Sequence, residues 1–241
     1  MRFILLFFLF LNFNLYSVDI DDFDDEFAEK KHEPFDPLSG YNRAMTSFND
    51  YLYMNILDPY LFRGYNYVAP KVVRTSIKSF FDNLKFPVTF VNNLLQMKFK
   101  RAWIDVERFG VNTTVGLFGF FDPAYTWLKL DKSDEDFGQT LGYYGVGSGF
   151  PITLPFFGQY NLRDLAAVYA DAAVDPIYYV DYRKYNATEN MYQSWGIISY
   201  KQFNEGSLRI KEYKDLRKDA LDLYPFIRDA YEQNRDMLIK E

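Results

Sequence analysis

A mainly α-helical single domain, built from short amphipathic helices, is the fold class this sequence predicts. Three observations carry that prediction. Apolar residues recur at three- and four-residue spacings along most of the chain, which marks one face on each of a series of helices. Proline and Asx residues punctuate the runs where helices begin or end. Few stretches alternate as strands do, and no internal repeat is present. The chain has 241 residues and no cysteine, so its core is built without disulfides.

In chain order, Met1-Arg2 followed by the apolar run Phe3 to Leu11 and a small residue at Ser17 has the order of a secretory signal, expected over residues 1–17. That run is too short to span a bilayer. Residues 18–35 predict a disordered acidic leader, because nine acids face two lysines between Val18 and Asp36. The single histidine, His32, lies there, and the body beyond it is close to neutral. A neutral body with no basic tract argues against nucleic acid as a partner.

The domain is expected over residues 36–241. Asp36-Pro37 predicts an N-cap followed by proline at the first helical position. Tyr41, Ala44, Met45, Phe48, Tyr51 and Leu52 then share one stripe, with Asn42, Arg43 and Asn49 off it, and Asp58-Pro59 is expected to end the helix. A second helix follows Pro70 (Val72, Val73, Ile77, Phe80, Phe81, Leu84), and Pro87 opens a third (Val91, Leu94, Leu95). Phe99, Trp103, Val106 and Phe109 mark a fourth, before a stop at Asp122-Pro123. Asn161 is read as the cap of a helix through Leu165 and Tyr169 that ends at Asp175-Pro176, and further helices are expected over 187–203, 207–223 and 225–239. Most of the apolar stripes are expected to pack on their neighbours, with lipid contact the alternative at any single helix.

The segment Gly138 to Gly158 is rich in glycine and raises a nucleotide reading. A phosphate loop needs a helix N-terminus after its glycines, and Pro155 would break a helix begun at Pro151. No Lys-Ser/Thr pair follows either, so the reading fails. Asp136-Phe137-Gly138 resembles the kinase metal triplet without its companion motifs, and Asp131 to Asp136 departs from the calcium-loop pattern at its sixth and twelfth positions. With no cysteine and one histidine, thiol, Ser-His and ordinary zinc chemistry are excluded, and no cofactor is expected. A soluble periplasmic hydrolase or binding protein with a carboxylate site stays open, although no spacing among the 33 acids singles out a pair.

Aromatic residues make up 20% of the chain, more than an ordinary core asks for, and tyrosine rings with a polar tip favour membrane–water interfaces. No segment after the signal reaches 18 apolar residues: the nearest, Val111 to Phe121, contains Asn112, Thr113 and Thr114. Amphipathic helices lying in an interface are the membrane option, with the glycine segment beside hydrocarbon or lining a lipid passage.

Five ordered blocks then resemble the MlaA/VacJ family: DPLSGYNRAMTSFND (36–50), FPVTFVNNLLQMKFKRA (86–102), RFGVNTTVGLFGFFDPA (108–124), DEDFGQTLGYYGVGSG (134–149) and LPFFGQYNLRD (154–164). The resemblance implies a non-enzymatic outer-membrane protein whose helices form a ring in the inner leaflet around a lipid passage. Through it phospholipids would move toward a periplasmic lipid carrier, often with a trimeric porin alongside. It implies that the glycine segment, with Gly142, Gly145, Gly147, Gly149 and Pro151, belongs to the passage wall. Asn42, Arg43 and Asn49, off the stripe centred on Phe48, are then expected at headgroup contacts, with capping of neighbouring turns or a solvated polar face as the alternative. Asp36, Pro37, Asn112, Asp122, Pro123, Asp136, Phe137, Gly138, Arg163 and Asp164 stand in the matching blocks as structural positions. The family is usually lipoprotein, and this sequence has no cysteine to acylate.

Overall fold

The computed structural model describes residues 35–179 and 187–241; the expected signal and leader lie outside them, apart from Phe35. The elements are α1 (Ser39–Leu52), a π-helix (Tyr53–Phe62), α2 (Arg63–Val68), α3 (Lys71–Leu84), α4 (Phe86–Leu95), α5 (Phe99–Thr114) and α6 (Pro123–Thr126). They continue with α7 (Phe137–Tyr143), β1 (Pro151–Leu154), β2 (Gly158–Asn161), α8 (Leu162–Ala172), a 3-10 turn (Pro176–Tyr179), α9 (Ala187–Asp219) and α10 (Leu223–Lys240).

Local signals account for many boundaries. Pro70 stands at the N-cap of α3 and Pro87 in the first turn of α4, where a missing N–H costs nothing. Asn161 caps α8 by accepting from Asp164 N at 2.8 Å.

Several expectations are corrected. Asp36-Pro37 does not begin α1; the helix starts at Ser39, and Asp36 forms a turn whose carboxylate accepts from Leu38 N and Asn42. Asp58-Pro59 does not end it, because the chain widens into the π-helix with Pro59 inside. The contacts of Lys214 with Asp58 (2.6 Å) and of Phe203 with the buried Phe62 (5.1 Å) bind that segment to α9 and offset the bond proline forgoes. Asp122 starts α6 instead of ending α5, its side chain accepting from Tyr125 N at 3.0 Å. Thr140 to Tyr144, which could pass for a strand, belongs largely to α7, while an unforeseen antiparallel hairpin pairs Pro151 with Asn161 and Leu154 with Gly158. The helices expected over 187–203 and 207–223 are one, α9. Gly206 sits inside it because a Cβ there would lie 3.1 Å from Phe62 Cζ, so glycine allows the close approach.

The largest departure is the direction the helices face. In α1 the buried residues are Asn42, Thr46 and Asn49, while Tyr41, Phe48 and Tyr51 of the stripe are exposed. In α5 they are Ala102, Asp105, Arg108 and Asn112, with Phe99 and Trp103 outside; in α4 Asn92 and Asn93 are buried and Leu94 and Leu95 exposed. Among the described residues, buried polar side chains outnumber buried apolar ones. Packing on a neighbour, expected of most stripes, therefore fails for these helices. The stripe itself is real; periodicity finds a face without saying which solvent it meets.

Contacts between elements close into a circuit: α1 to β1, β1 to β2, β2 to α8, α8 to α7, α7 to α4, α4 to α3, α3 to α9, α9 to the π-helix, and the π-helix back to α1. No described helix is long and apolar enough to cross a membrane.

Candidate functional site

Residues from most of that circuit line one cavity of about 420 Å³. Lys85 reaches it from the α3–α4 junction, Asp136 from the start of α7, Phe157, Gln159 and Tyr160 from the hairpin, Asp164, Val168 and Asp171 from α8, Lys201 from α9, and Tyr231 and Arg235 from α10.

Its charges are organised around Arg235. The guanidinium donates to both Asp136 oxygens at 2.7 and 2.8 Å, a bidentate fork. Its Nε also lies 2.8 Å from Asp164 Oδ2, a contact of charge without hydrogen-bond alignment. Burial alone would raise the Asp136 carboxyl, but the hydrogen bonds and charge of Arg235 overcome this and hold it at about 2. Asp136 also caps α7 by accepting from Gln139 N at 2.9 Å. Asp164 takes Arg163 Nε at 2.9 Å and the Tyr231 hydroxyl at 2.8 Å. Burial and the Asp164 charge push the Tyr231 phenol up, so it remains a donor. Gly138 is required beside this cluster, since a Cβ would meet Asp164 and lie 2.8 Å from Arg235 Nη2.

Asp171 differs. It accepts from Phe137 N at 3.1 Å and Asn92 Nδ2 at 2.9 Å, and burial pushes its carboxyl up to about 6 in spite of those donors.

Of the residues singled out from the sequence, Asp136 and Asp164 come together at this cavity, with Phe137 and Gly138 in the same turn and Arg163 bonded to Asp164. Arg163 Nη1 also donates to Val146 O at 3.2 Å, which ties the exposed glycine loop to the cavity wall. Gly145 and Gly149 adopt positive φ (84° and 75°), Gly142 packs against Ile239, and a Cβ on Gly147 would meet nothing within 4 Å.

Asn42, Asn49 and Pro151 belong to a different arrangement. Asn42 donates to Pro151 O at 2.9 Å and accepts from Thr153 N at 2.8 Å; Asn49 donates to Leu154 O at 2.9 Å and accepts from Phe156 N at 2.8 Å. Two side-chain amides one heptad apart thus serve as a partner strand for β1, and both are buried. Arg43 pairs with Asp222 at the surface, and Phe48 meets Phe156 edge-on at 5.5 Å. Pro37 stays in the turn before α1. Asn112, Asp122 and Pro123 fasten α5 to α6: Asn112 donates to Asp122 at 3.0 Å and accepts from Ala124 N at 3.0 Å, and Arg108 meets Asp122 at 2.8 Å.

Sequence reasoning missed Lys85, Asp171, Lys201, Tyr231 and Arg235. Nothing distinguishes Arg235 in Glu-Gln-Asn-Arg-Asp from a solvated helix face. Among the described residues, no cluster of histidine, cysteine and acids is placed to hold a metal.

Comparison with known proteins places this geometry. The family model described as MlaA lipoprotein matches residues 34–238. The intermembrane phospholipid transport system lipoprotein MlaA of Shigella flexneri is 32% identical over 212 residues, covering 84% of this chain and 78% of that protein. Its counterpart in Escherichia coli (strain K12) matches to the same extent. A solved structure described as the structural basis for maintenance of bacterial outer membrane lipid asymmetry superposes with a TM-score of 0.68 at 31% identity, over 85% of this chain and 99% of that one. The chain belongs to the MlaA lipoprotein family.

Proposed function

We propose that this protein carries out the phospholipid transport of its family, helping to maintain outer-membrane lipid asymmetry, with the contact circuit acting as a ring and the cavity as its lipid passage. The observation that carries the reading is the inversion of polarity. Water would not favour helices that turn Trp103, Phe99, Tyr51 and Phe48 outward and bury Asn42, Asn93, Asp105 and Arg108. Hydrocarbon around a polar interior does. An aromatic exterior also supplies membrane contact that needs no acyl chain, which suits a sequence without cysteine.

The turn after α5 adds to that exterior. Leu117, Phe118 and Gly119 hold positive φ in succession, a conformation that costs about 1–2 kcal/mol at each non-glycine residue. Asn83 secures it by donating to Thr113 Oγ1 at 3.0 Å and Phe118 O at 3.4 Å, so apolar side chains at Leu117 and Phe118 are presented outward.

The protein is not an enzyme, in keeping with the transport role of its family, and the cavity's Asp136 and Asp164 are held by arginines. The glycine loop, tied through Arg163 to the cavity wall, forms the rim of the passage. A periplasmic carrier receives the lipid, with a porin at the outer face of the ring. The test is to express the chain in cells lacking their own homologue, fractionate them, and measure surface-exposed phospholipid. Recovery with the outer membrane and a fall in surface phospholipid are expected; recovery wholly in the soluble periplasm with no bound phospholipid overturns the reading.

A further inference from the structure

Four charged groups at the cavity are left over once Arg235 has taken Asp136 and Asp164. Lys85 and Lys201 line it, and neither ammonium has an ion pair or hydrogen bond among the described residues. The charge of Lys85 is felt at both Asp136 and Asp171, yet it closes no ion pair with either. Among the described residues, Asp171 accepts only from Asn92 and Phe137 N, and Asp175 only from Ile177 N at 2.9 Å, so neither carboxylate closes an ion pair there. Two ammonium groups, from the α3–α4 junction and α9, and two carboxylates, from the C-terminal end of α8 and just past it, thus line one cavity without closing an ion pair among the described residues. Removing charge from water is costly unless an opposite charge meets it, and an occupant carrying one charge of each sign satisfies both sets.

We infer that the cavity is a headgroup site selective for a zwitterionic phosphoethanolamine group, with Lys85 and Lys201 receiving the phosphate and Asp171 and Asp175 the ammonium. The inference rests on the transport reading above and adds the chemistry of the cargo. An anionic glycerol headgroup also brings a phosphate to the lysines, but it leaves the two carboxylates facing a net negative ligand.

The experiment incubates the full chain, purified in detergent, with vesicles holding equal amounts of phosphatidylethanolamine and phosphatidylglycerol, then quantifies retained lipid by mass spectrometry. Retention is expected to favour phosphatidylethanolamine roughly fivefold, the scale of one well-placed charge contact. Asp175→Asn should bring that ratio toward one while lipid is still retained, and Lys201→Gln should lower retention of both lipids. Melting temperatures close to that of the parent exclude misfolding, and Lys85→Gln, which removes no hydrogen bond or ion pair among the described residues, should lower retention of both lipids as Lys201→Gln does. If Asp175→Asn unfolds, the parent ratio carries the test of selectivity. A parent ratio of one, or a ratio and retention unmoved by all three variants, overturns the inference and leaves the transport reading intact. Failure to retain either lipid overturns the transport reading instead. In a competition arm, soluble glycerophosphoethanolamine should displace lipid only at large excess; displacement at equal concentration would mean the site takes a free phosphodiester, and the inference of a membrane lipid would fall.

Discussion

Gly147 is the glycine of its loop where a Cβ meets neither a neighbour nor an unfavourable φ, and it separates passage from fold. Gly147→Ala should leave the melting temperature within a degree or two, about 0.5 kcal/mol or less. Gly145→Ala and Gly149→Ala should each lose about 1 kcal/mol or more from left-handed strain. Gly142→Ala should lose at least as much, because its Cβ would run into Ile239 and lie 2.9 Å from Arg163 Nη1. Surface phospholipid measured beside thermal stability checks the loop's role: a transport defect in Gly147→Ala places the loop at the passage, and normal transport there leaves it a turn. Asp105 makes the second residue-level prediction. Burial raises its carboxyl to about 6 against the Asn93 hydrogen bond and the Arg108 and Arg101 charges, with Glu135 adding to the rise. The native state therefore binds that proton more tightly than the unfolded chain, and this contribution to stability falls as pH rises from about 4 to about 6. Asp105→Asn should raise the melting temperature at pH 7.5 and flatten its slope across that window. Thermal melts at half-unit intervals of pH measure both, and an unchanged slope would assign the pH dependence to Asp171 or Glu232, which are also raised.

Helix α1 shows how one element can serve two surfaces. Its inner side offers the amides of Asn42 and Asn49 to β1, and its outer side presents Tyr41, Phe48 and Tyr51. Asn42→Ala removes four side-chain hydrogen bonds, to Asp36, Pro151 O and Tyr224 and from Thr153 N, and strands the buried Thr153 N–H, so a loss of about 2–4 kcal/mol is expected, read as a lower denaturation midpoint. Phe48→Asp acts on the other side. Phe48 is 40% exposed and meets Phe156 by an edge contact, so the fold should tolerate the change at a loss of about 1 kcal/mol. A charge there opposes hydrocarbon, and detergent sensitivity of cells should rise at normal protein level. Unchanged sensitivity would remove Phe48 from the membrane contact.

At the scale of the domain, α10 is not a link of the circuit but braces it, reaching back to α7 through Arg235 and Asp136, to α8 through Tyr231 and Asp164, and to the turn before α1 through Tyr224 and Asp36. The C-terminal helix thereby joins the first helical turns to the cavity wall. Most of the polar groups gathered inside are satisfied by others there, with Arg235 Nε, Arg163 Nη2, Asn93 Oδ1 and Gln96 Oε1 as exceptions, and on the proposed reading the apolar faces outside meet lipid.

Much of this was legible in the residues alone. Pro70, Pro87 and Asn161 mark helix starts through local sterics and single hydrogen bonds, and the apolar stripes follow the helical period; neither depends on distant parts of the chain. The family blocks gave the transport role as an expectation. What required the folded chain is whatever joins residues far apart in sequence or depends on the surrounding solvent. Asn42 looks like a solvated helix residue until β1, more than a hundred positions later, brings Pro151 O and Thr153 N against it. Gly206 looks like a break until Phe62 fills the space beside it. Lys85, Asp171, Lys201 and Arg235 are ordinary surface charges in their own helices and become one site only when the circuit closes. The same holds for the stripes: a helical period records which residues share a face, and the free energy of that face against water, protein or hydrocarbon is set by everything else the chain places around it.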